Sequence, residues 1–99
     1  MSALRQKPTS GGKPPATQSF TLHAPGAQCV ELVGDFTDWE AKPIWLRAGA
    51  RGIWRARVAL PPGNHQYRFR VDGEWRDDPA AAVRVPNPFG GENAVRVVV

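Results

Sequence analysis

The chain has 99 residues, with thirteen Lys and Arg against nine Asp and Glu for a formal charge of +4, ten Gly, ten Pro, four Trp and a single Cys. A chain of this length has room for one two-layer core and not for a second domain. It holds no 18-residue apolar run and no apolar leader, so neither a membrane span nor a signal peptide is expected, and the lone Cys29 fits a reducing, cytosolic setting because it has no internal disulfide partner.

Residues 1–16 are rich in Ser, Gly, Pro and Lys, offer almost nothing apolar to repay ordering, and read as a flexible tail ahead of a domain over residues 17–99. The tail also carries much of the excess charge. Setting aside Arg5, Lys7 and Lys13 leaves ten basic residues against nine acidic ones, and a nearly neutral folded part argues against nucleic acid as a partner.

Residues 18–23 (QSFTLH) alternate Phe20 and Leu22 against polar neighbours, the period-two mark of a half-buried strand, and Ala24, Pro25 and Gly26 end it. Residues 29–36 (CVELVGDF) alternate again, with Val30, Leu32, Gly34 and Phe36 on one face, and Gly34 predicts a bend or a close backbone approach. A long connection follows, with Trp39 in a polar loop and Ile44, Trp45 and Leu46 packing down as a brief strand. Residues 53–60 put Trp54, Ala56, Val58 and Leu60 inward. A Pro-Pro-Gly-Asn turn at 61–64 then leads into the central strand, which faces Tyr67, Phe69 and Val71 inward and Gln66, Arg68 and Arg70 outward. The Asp72-Gly73 pair predicts a tight hairpin turn with Trp75 just beyond it. Residues 80–91 read as irregular and Pro-punctuated, and residues 93–99 as a last strand with Val95, Val97 and Val99 inward. Many short strands with turn signals between them make the fold class all-β, an immunoglobulin-like antiparallel β-sandwich.

The four Trp divide by context. Trp54 reads as core, and Trp45, between Ile44 and Leu46, as packing. Trp39 and Trp75 each follow a turn and sit among charged neighbours, either covering loops or forming a ligand surface. A sugar ring has apolar C–H faces and a rim of hydroxyls, so flat indoles flanked by donors and acceptors such as Arg68 and Asn93 suit it. Catalysis has little support. Glu74, Asp77 and Asp78 read as solvated turn carboxylates rather than a pair across a cleft, and His23 and His65 have no nucleophile or metal-ligand partner at useful spacing.

Four segments, VELVGDFTDW at 30–39, LPPGNHQYRFRVD at 60–72, GEWRDDP at 73–79 and FGGENAVRV at 89–97, together resemble the glycogen-binding domain of the AMP-activated protein kinase beta subunit. They also resemble the wider carbohydrate-binding module family 48, the early-set domains that precede isoamylase and branching-enzyme barrels, including small free-standing bacterial members. The resemblance covers roughly residues 18–99. It implies an early-set sandwich that binds an α-1,4-linked glucan such as glycogen, a maltooligosaccharide or a cyclodextrin, needs no cofactor or metal, and is not an enzyme. Carried over residue by residue, it implies Trp platforms at Trp39 and Trp75, a cation at Arg68 where the family has Lys, an apolar wedge at Phe89 where the family has Leu, and an amide at Asn93. Gly91 falls where the family has a Thr, so one hydroxyl contact is missing. A second reading of the same fold is an interaction module that docks onto a glycogen-metabolising enzyme or a kinase-like complex. A third, single-stranded nucleic-acid binding by aromatics and Arg, is disfavoured by the charge distribution.

Overall fold

The computed structural model describes residues 13–99. Nine strands follow one another among these residues: β1 (Ala16–His23), β2 (Val30–Gly34), β3 (Ile44–Trp45), β4 (Arg47–Ala48), β5 (Ile53–Leu60), β6 (Gly63–Val71), β7 (Glu74–Arg76), β8 (Val83–Pro86) and β9 (Glu92–Val98). Most of the expected tail, residues 1–12, lies outside the described residues, and its last residue, Ala16, already pairs with Leu60 as the first residue of β1. No helix among the described residues is long and apolar enough to cross a membrane.

The strands form two antiparallel sheets, a three-stranded one in the order β1-β5-β4 and a six-stranded one in the order β3-β2-β6-β9-β8 with β7 paired to β6. This is the expected sandwich. Phe20 and Leu22 of β1 and Trp54 and Leu60 of β5 meet Leu32 of β2 and Tyr67 and Phe69 of β6 between the sheets. Phe20 and Tyr67 pack edge to face with ring centres 4.9 Å apart, the arrangement aromatic quadrupoles favour. The expected close approach at Gly34 is there: a Cβ on Gly34 would stand 2.5 Å from the Gln66 carbonyl oxygen and 3.0 Å from Tyr67 Cβ, so only glycine lets β2 lie this close to β6.

Several local expectations are corrected. β2 ends at Gly34, not Phe36, and is buried along its whole length, because residues 35–41 coil back in two 3-10 turns against its outer face. Residues 83–86, expected to be irregular, form β8; Pro86 at its end and the preceding run of Ala masked the short Val83, Val85 alternation. In β9 the register is the reverse of the expected one. Ala94 and Val98 are buried, whereas Val97 and Val99 are exposed. A one-residue shift moves every side chain to the opposite face, and a valine-rich run with few polar positions gives no alternation by which to choose. Arg96 takes the inner side at the sandwich rim, its guanidinium carbon 4.1 Å from the centre of the Phe20 ring and its Nη1 donating to Gln18 Oε1 at 3.3 Å.

Trp45, expected to pack, is 62% exposed on the edge strand β3. Asp78, expected to be solvated, is buried: its carboxylate accepts the Tyr67 hydroxyl and, at 2.9 Å, the Ala80 N–H, so it closes the turn that starts the connection from β7 to β8. Burial first, and then the Asp78 carboxylate, push the Tyr67 phenol far above its ordinary value of 10.0. The folded state thus keeps a proton that the unfolded chain releases above about pH 10, so this group's contribution to stability is complete below that pH and is lost as pH rises beyond it. Tyr67 is the only Tyr. Alkaline titration followed by near-ultraviolet absorbance is expected to show no tyrosinate until circular dichroism reports unfolding; tyrosinate formed at the ordinary pH in a folded domain would contradict it.

Candidate functional site

The site lies on the outer face of the six-stranded sheet. With Tyr67, Phe69 and Val71 turned into the core, Arg68 and Arg70 face outward. β9 flanks β6 only as far as Tyr67, and β7 takes over from Phe69, so Arg68 stands where one neighbour gives way to the next.

Trp75 reaches this face because the β6–β7 turn has positive φ at both central residues, 49° at Asp72 and 86° at Gly73, the geometry that matches the twist of a two-residue hairpin. The Asp72 carboxylate accepts the Gln28 and Cys29 N–H groups at 2.9 and 2.8 Å, which ties the hairpin tip to the chain entering β2. In register Trp75 stands opposite Arg70. Its indole, 42% exposed, has the guanidinium carbons of both Arg68 and Arg70 at 5.5 Å from the ring centre.

Those two cations are neutralised locally. Arg70 Nε donates to Glu31 Oε1 at 2.8 Å and Nη1 to Glu40 Oε2 at 2.7 Å, and Arg68 Nη2 donates to Asp77 Oδ1 at 2.9 Å. The hydrogen bond from Arg70 to Glu31 raises its pKa further, against the cost of burial. Around Trp75 two guanidiniums therefore face three carboxylates, a surface that offers directed donors without a net positive field. Arg68 Nε is buried and has no partner among the described residues.

Trp39 comes from the 3-10 turns after β2. Asp38 and Trp39 both have positive φ, 52° and 53°, a region that costs a bulky residue about 1–3 kcal/mol and persists only when the surroundings enforce it. Thr37 does so. Its buried hydroxyl accepts the Gly34 N–H at 2.9 Å and donates to the Trp39 carbonyl oxygen at 2.7 Å, while the Lys42 N–H donates to the Thr37 carbonyl at 3.0 Å.

Phe89 caps the β8–β9 connection and is 92% exposed. Asn87 organises this loop: its side-chain oxygen accepts the N–H groups of Phe89 and Gly91 at 2.9 and 3.1 Å, and its Nδ2 donates to Asn93 Oδ1 at 3.2 Å. Asn93 is only 6% exposed and donates in turn to Gln66 Oε1 at 3.1 Å. One donor and one acceptor of its amide are thus used inside the protein, and one of each remains. At Gly91 a Cβ would stand 3.4 Å from Asn87 Nδ2 and 4.0 Å from Arg68 Nη1, ordinary contact distances, so a side chain starting here would lie beside both.

Trp39, Arg68, Trp75, Phe89 and Asn93 line one cleft of about 530 Å³, joined by Glu40, Asn87 and Pro88. All five residues expected at a site are thereby brought together. Asn87 and Glu40 were not expected. An Asn-Pro pair ahead of Gly-Gly is a turn signal that marks Asn87 as a loop organiser; Glu40 carries no signal of its own. Asp77 is engaged by Arg68 and Asp78 by Tyr67, so the carboxylates of this turn serve the fold.

A family model described as the glycogen recognition site of AMP-activated protein kinase matches residues 18–98. Among individual proteins, the 5'-AMP-activated protein kinase subunit beta-1 of Sus scrofa is 38% identical over 70 residues, covering 71% of this chain and 54% of that protein. The 1,4-alpha-glucan branching enzyme GlgB of Salinibacter ruber is 39% identical over 83 residues, 77% of this chain and 13% of the enzyme. That of Lactobacillus acidophilus is 37% identical over 75 residues, 71% of this chain and 12% of the enzyme. The chain thus spans about half of the matched kinase subunit and a small fraction of the branching enzymes.

Proposed function

The chain belongs to the family of the glycogen recognition site of AMP-activated protein kinase, and we propose that it binds glycogen or another α-1,4-linked glucan as a non-catalytic module. The observation that carries this reading is the meeting of Trp39 and Trp75, 36 positions apart in the chain, in one open cleft with Phe89 at its edge. In this reading the two indoles stack on successive sugar faces. Arg68 and the free half of the Asn93 amide take hydroxyls, and Phe89 enters against the glucan from the loop. Arg68 in place of Lys offers its hydroxyl contacts from a planar fork instead of a point charge. Neutralised arginines suit a neutral ligand. Affinity for a shallow, solvent-exposed site is expected in the micromolar to millimolar range. The free thiol of Cys29 accords with a cytoplasmic setting.

Glycogen co-sedimentation and titration with maltoheptaose test the proposal. Binding is expected to change little between low and high salt, because stacking and neutral hydroxyl contacts release no counterions, whereas a polyanion would be lost steeply. Failure to co-sediment, or tight salt-sensitive binding of single-stranded DNA, would overturn it. The relatives carry the matching segment as part of longer proteins, which favours, as a second reading, a module that docks onto a glycogen-metabolising enzyme or a kinase-like complex.

A further inference from the structure

Between residues 41 and 71 the sequence has no Asp or Glu, yet it places seven Lys and Arg there. Arg68 and Arg70 find their carboxylates at the cleft described above. Arg47, Arg55 and Arg57 are different: they are exposed, and no carboxylate among the described residues lies within ion-pair distance of them. Moreover, Arg47 and Arg55 are direct partners in the β4–β5 register. Like charges set opposite each other across two strands repel, and a sequence that breaks such a rule with no compensation inside the fold points to a site.

The geometry lets the three act together. Opposed residues in an antiparallel pair have Cα atoms about 4.5–5.5 Å apart, and the next residue on the same face of a strand is about 7 Å along. Three long, forked side chains rooted that closely reach a single phosphate-sized anion. A second observation supplies the rest of a ligand. Arg47, Arg55 and Arg57 line a cleft of about 490 Å³ on the flank of the sandwich, and Ile44 and the exposed Trp45 line it with them. That volume is in the usual range for small-molecule sites, and an exposed indole beside apolar Ile44 and Ala56 suits a ring.

We infer that this flank binds a phosphate monoester carried on a ring, a sugar phosphate or a nucleoside monophosphate, with the ring against Trp45 and the phosphate held by Arg47, Arg55 and Arg57. Guanidinium forks grip phosphate oxygens in pairs of short, charge-assisted hydrogen bonds. The site is separate from the Trp39–Trp75 cleft and does not depend on glucan binding there. The two differ in charge: one has its arginines neutralised, the other leaves them free.

Nuclear magnetic resonance titration of the full chain at low salt tests this, with glucose 1-phosphate, adenosine monophosphate, glucose and inorganic phosphate as probes. At least one of the two esters is expected to shift the Trp45 indole and the Arg55 and Arg57 Nε–H signals and to bind at least tenfold more tightly than inorganic phosphate, while glucose leaves those signals in place. Whichever ester binds more tightly identifies the ring as sugar or nucleoside. Arg55→Gln is expected to weaken the ester at least tenfold and Trp45→Ala at least fivefold. Because Arg55→Gln also relieves the repulsion with Arg47, its melting temperature is expected to hold or rise by a few degrees, which separates lost binding from lost fold. Unshifted Trp45, glucose binding as well as glucose 1-phosphate, inorganic phosphate binding as tightly as both esters, or unchanged affinity in Arg55→Gln would each overturn the inference.

Discussion

Replacing Trp75 with alanine is expected to weaken binding of a maltooligosaccharide roughly five- to thirty-fold while leaving the domain folded. The size follows from an aromatic stacking contribution of about 1–2 kcal/mol. The preserved fold follows from position. Trp75 stands on the outer face of the sheet, on a hairpin whose turn is secured by Asp72 to the backbone of Gln28 and Cys29, and none of those bonds involves the indole. Arg68 and Arg70 lose a ring contact but keep their carboxylate partners. Removing Trp39 as well is expected to abolish measurable binding, since a shallow cleft retains no other flat platform except the edge residue Phe89. Calorimetric titration with a linear or cyclic maltooligosaccharide, beside a thermal melt, checks both variants. If Trp75→Ala unfolds the domain, or binds as the parent does, the cleft is misassigned.

Trp54→Ala is expected to act in the opposite way, costing about 3–5 kcal/mol of stability. Trp54 is 9% exposed, lies between the sheets beside Leu22 in the β1–β5 register, and donates its indole N–H to the Ala24 carbonyl at 3.1 Å. Alanine leaves both a cavity and a buried carbonyl without its donor. A domain of this size has on the order of 5–15 kcal/mol to lose, so urea unfolding is expected to show a midpoint shifted far toward zero denaturant, and a loss under 1 kcal/mol would show that Trp54 is not core. Comparing the two tryptophans separates stability from recognition within one chain.

Much of the molecule was legible in the sequence because alternation is strong wherever one face of a strand meets water. The inward faces of β1, β5 and β6 read correctly, although β1 starts two residues earlier than expected and β6 takes in Gly63 and Asn64 of the expected turn, and Asp72-Gly73 gave its turn, because each has polar residues at every second place or a pair suited to positive φ. β2 did so only in part and β9 did not. Val30 and Leu32 of β2 face the core as expected, but with both faces covered the alternation does not mark where the strand ends, and the valines of β9 look alike on either side, so there the pattern that reports orientation is absent. Trp45 departs from expectation because apolar sequence neighbours do not guarantee burial on an edge strand. At the cleft, the motif resemblance named Trp39, Arg68, Trp75, Phe89 and Asn93. It did not reveal that Asn93 commits half of its amide to Asn87 and Gln66, or that Asn87 sets the Phe89 loop, because a hydrogen-bond chain across two strands and a turn leaves no local pattern.

The three-stranded sheet ends at β1, whose far side has no neighbouring strand among the described residues. Its eight residues, ATQSFTLH, contain no Lys, Arg, Asp, Glu or Pro, so nothing in them discourages another extended chain from adding on. In concentrated solution this edge is the expected point of adhesion between molecules, and in recombinant work the place to install a lysine is outward-facing Thr17, whose β5 partner is Ala59, since Ser19 and Thr21 stand opposite Arg57 and Arg55.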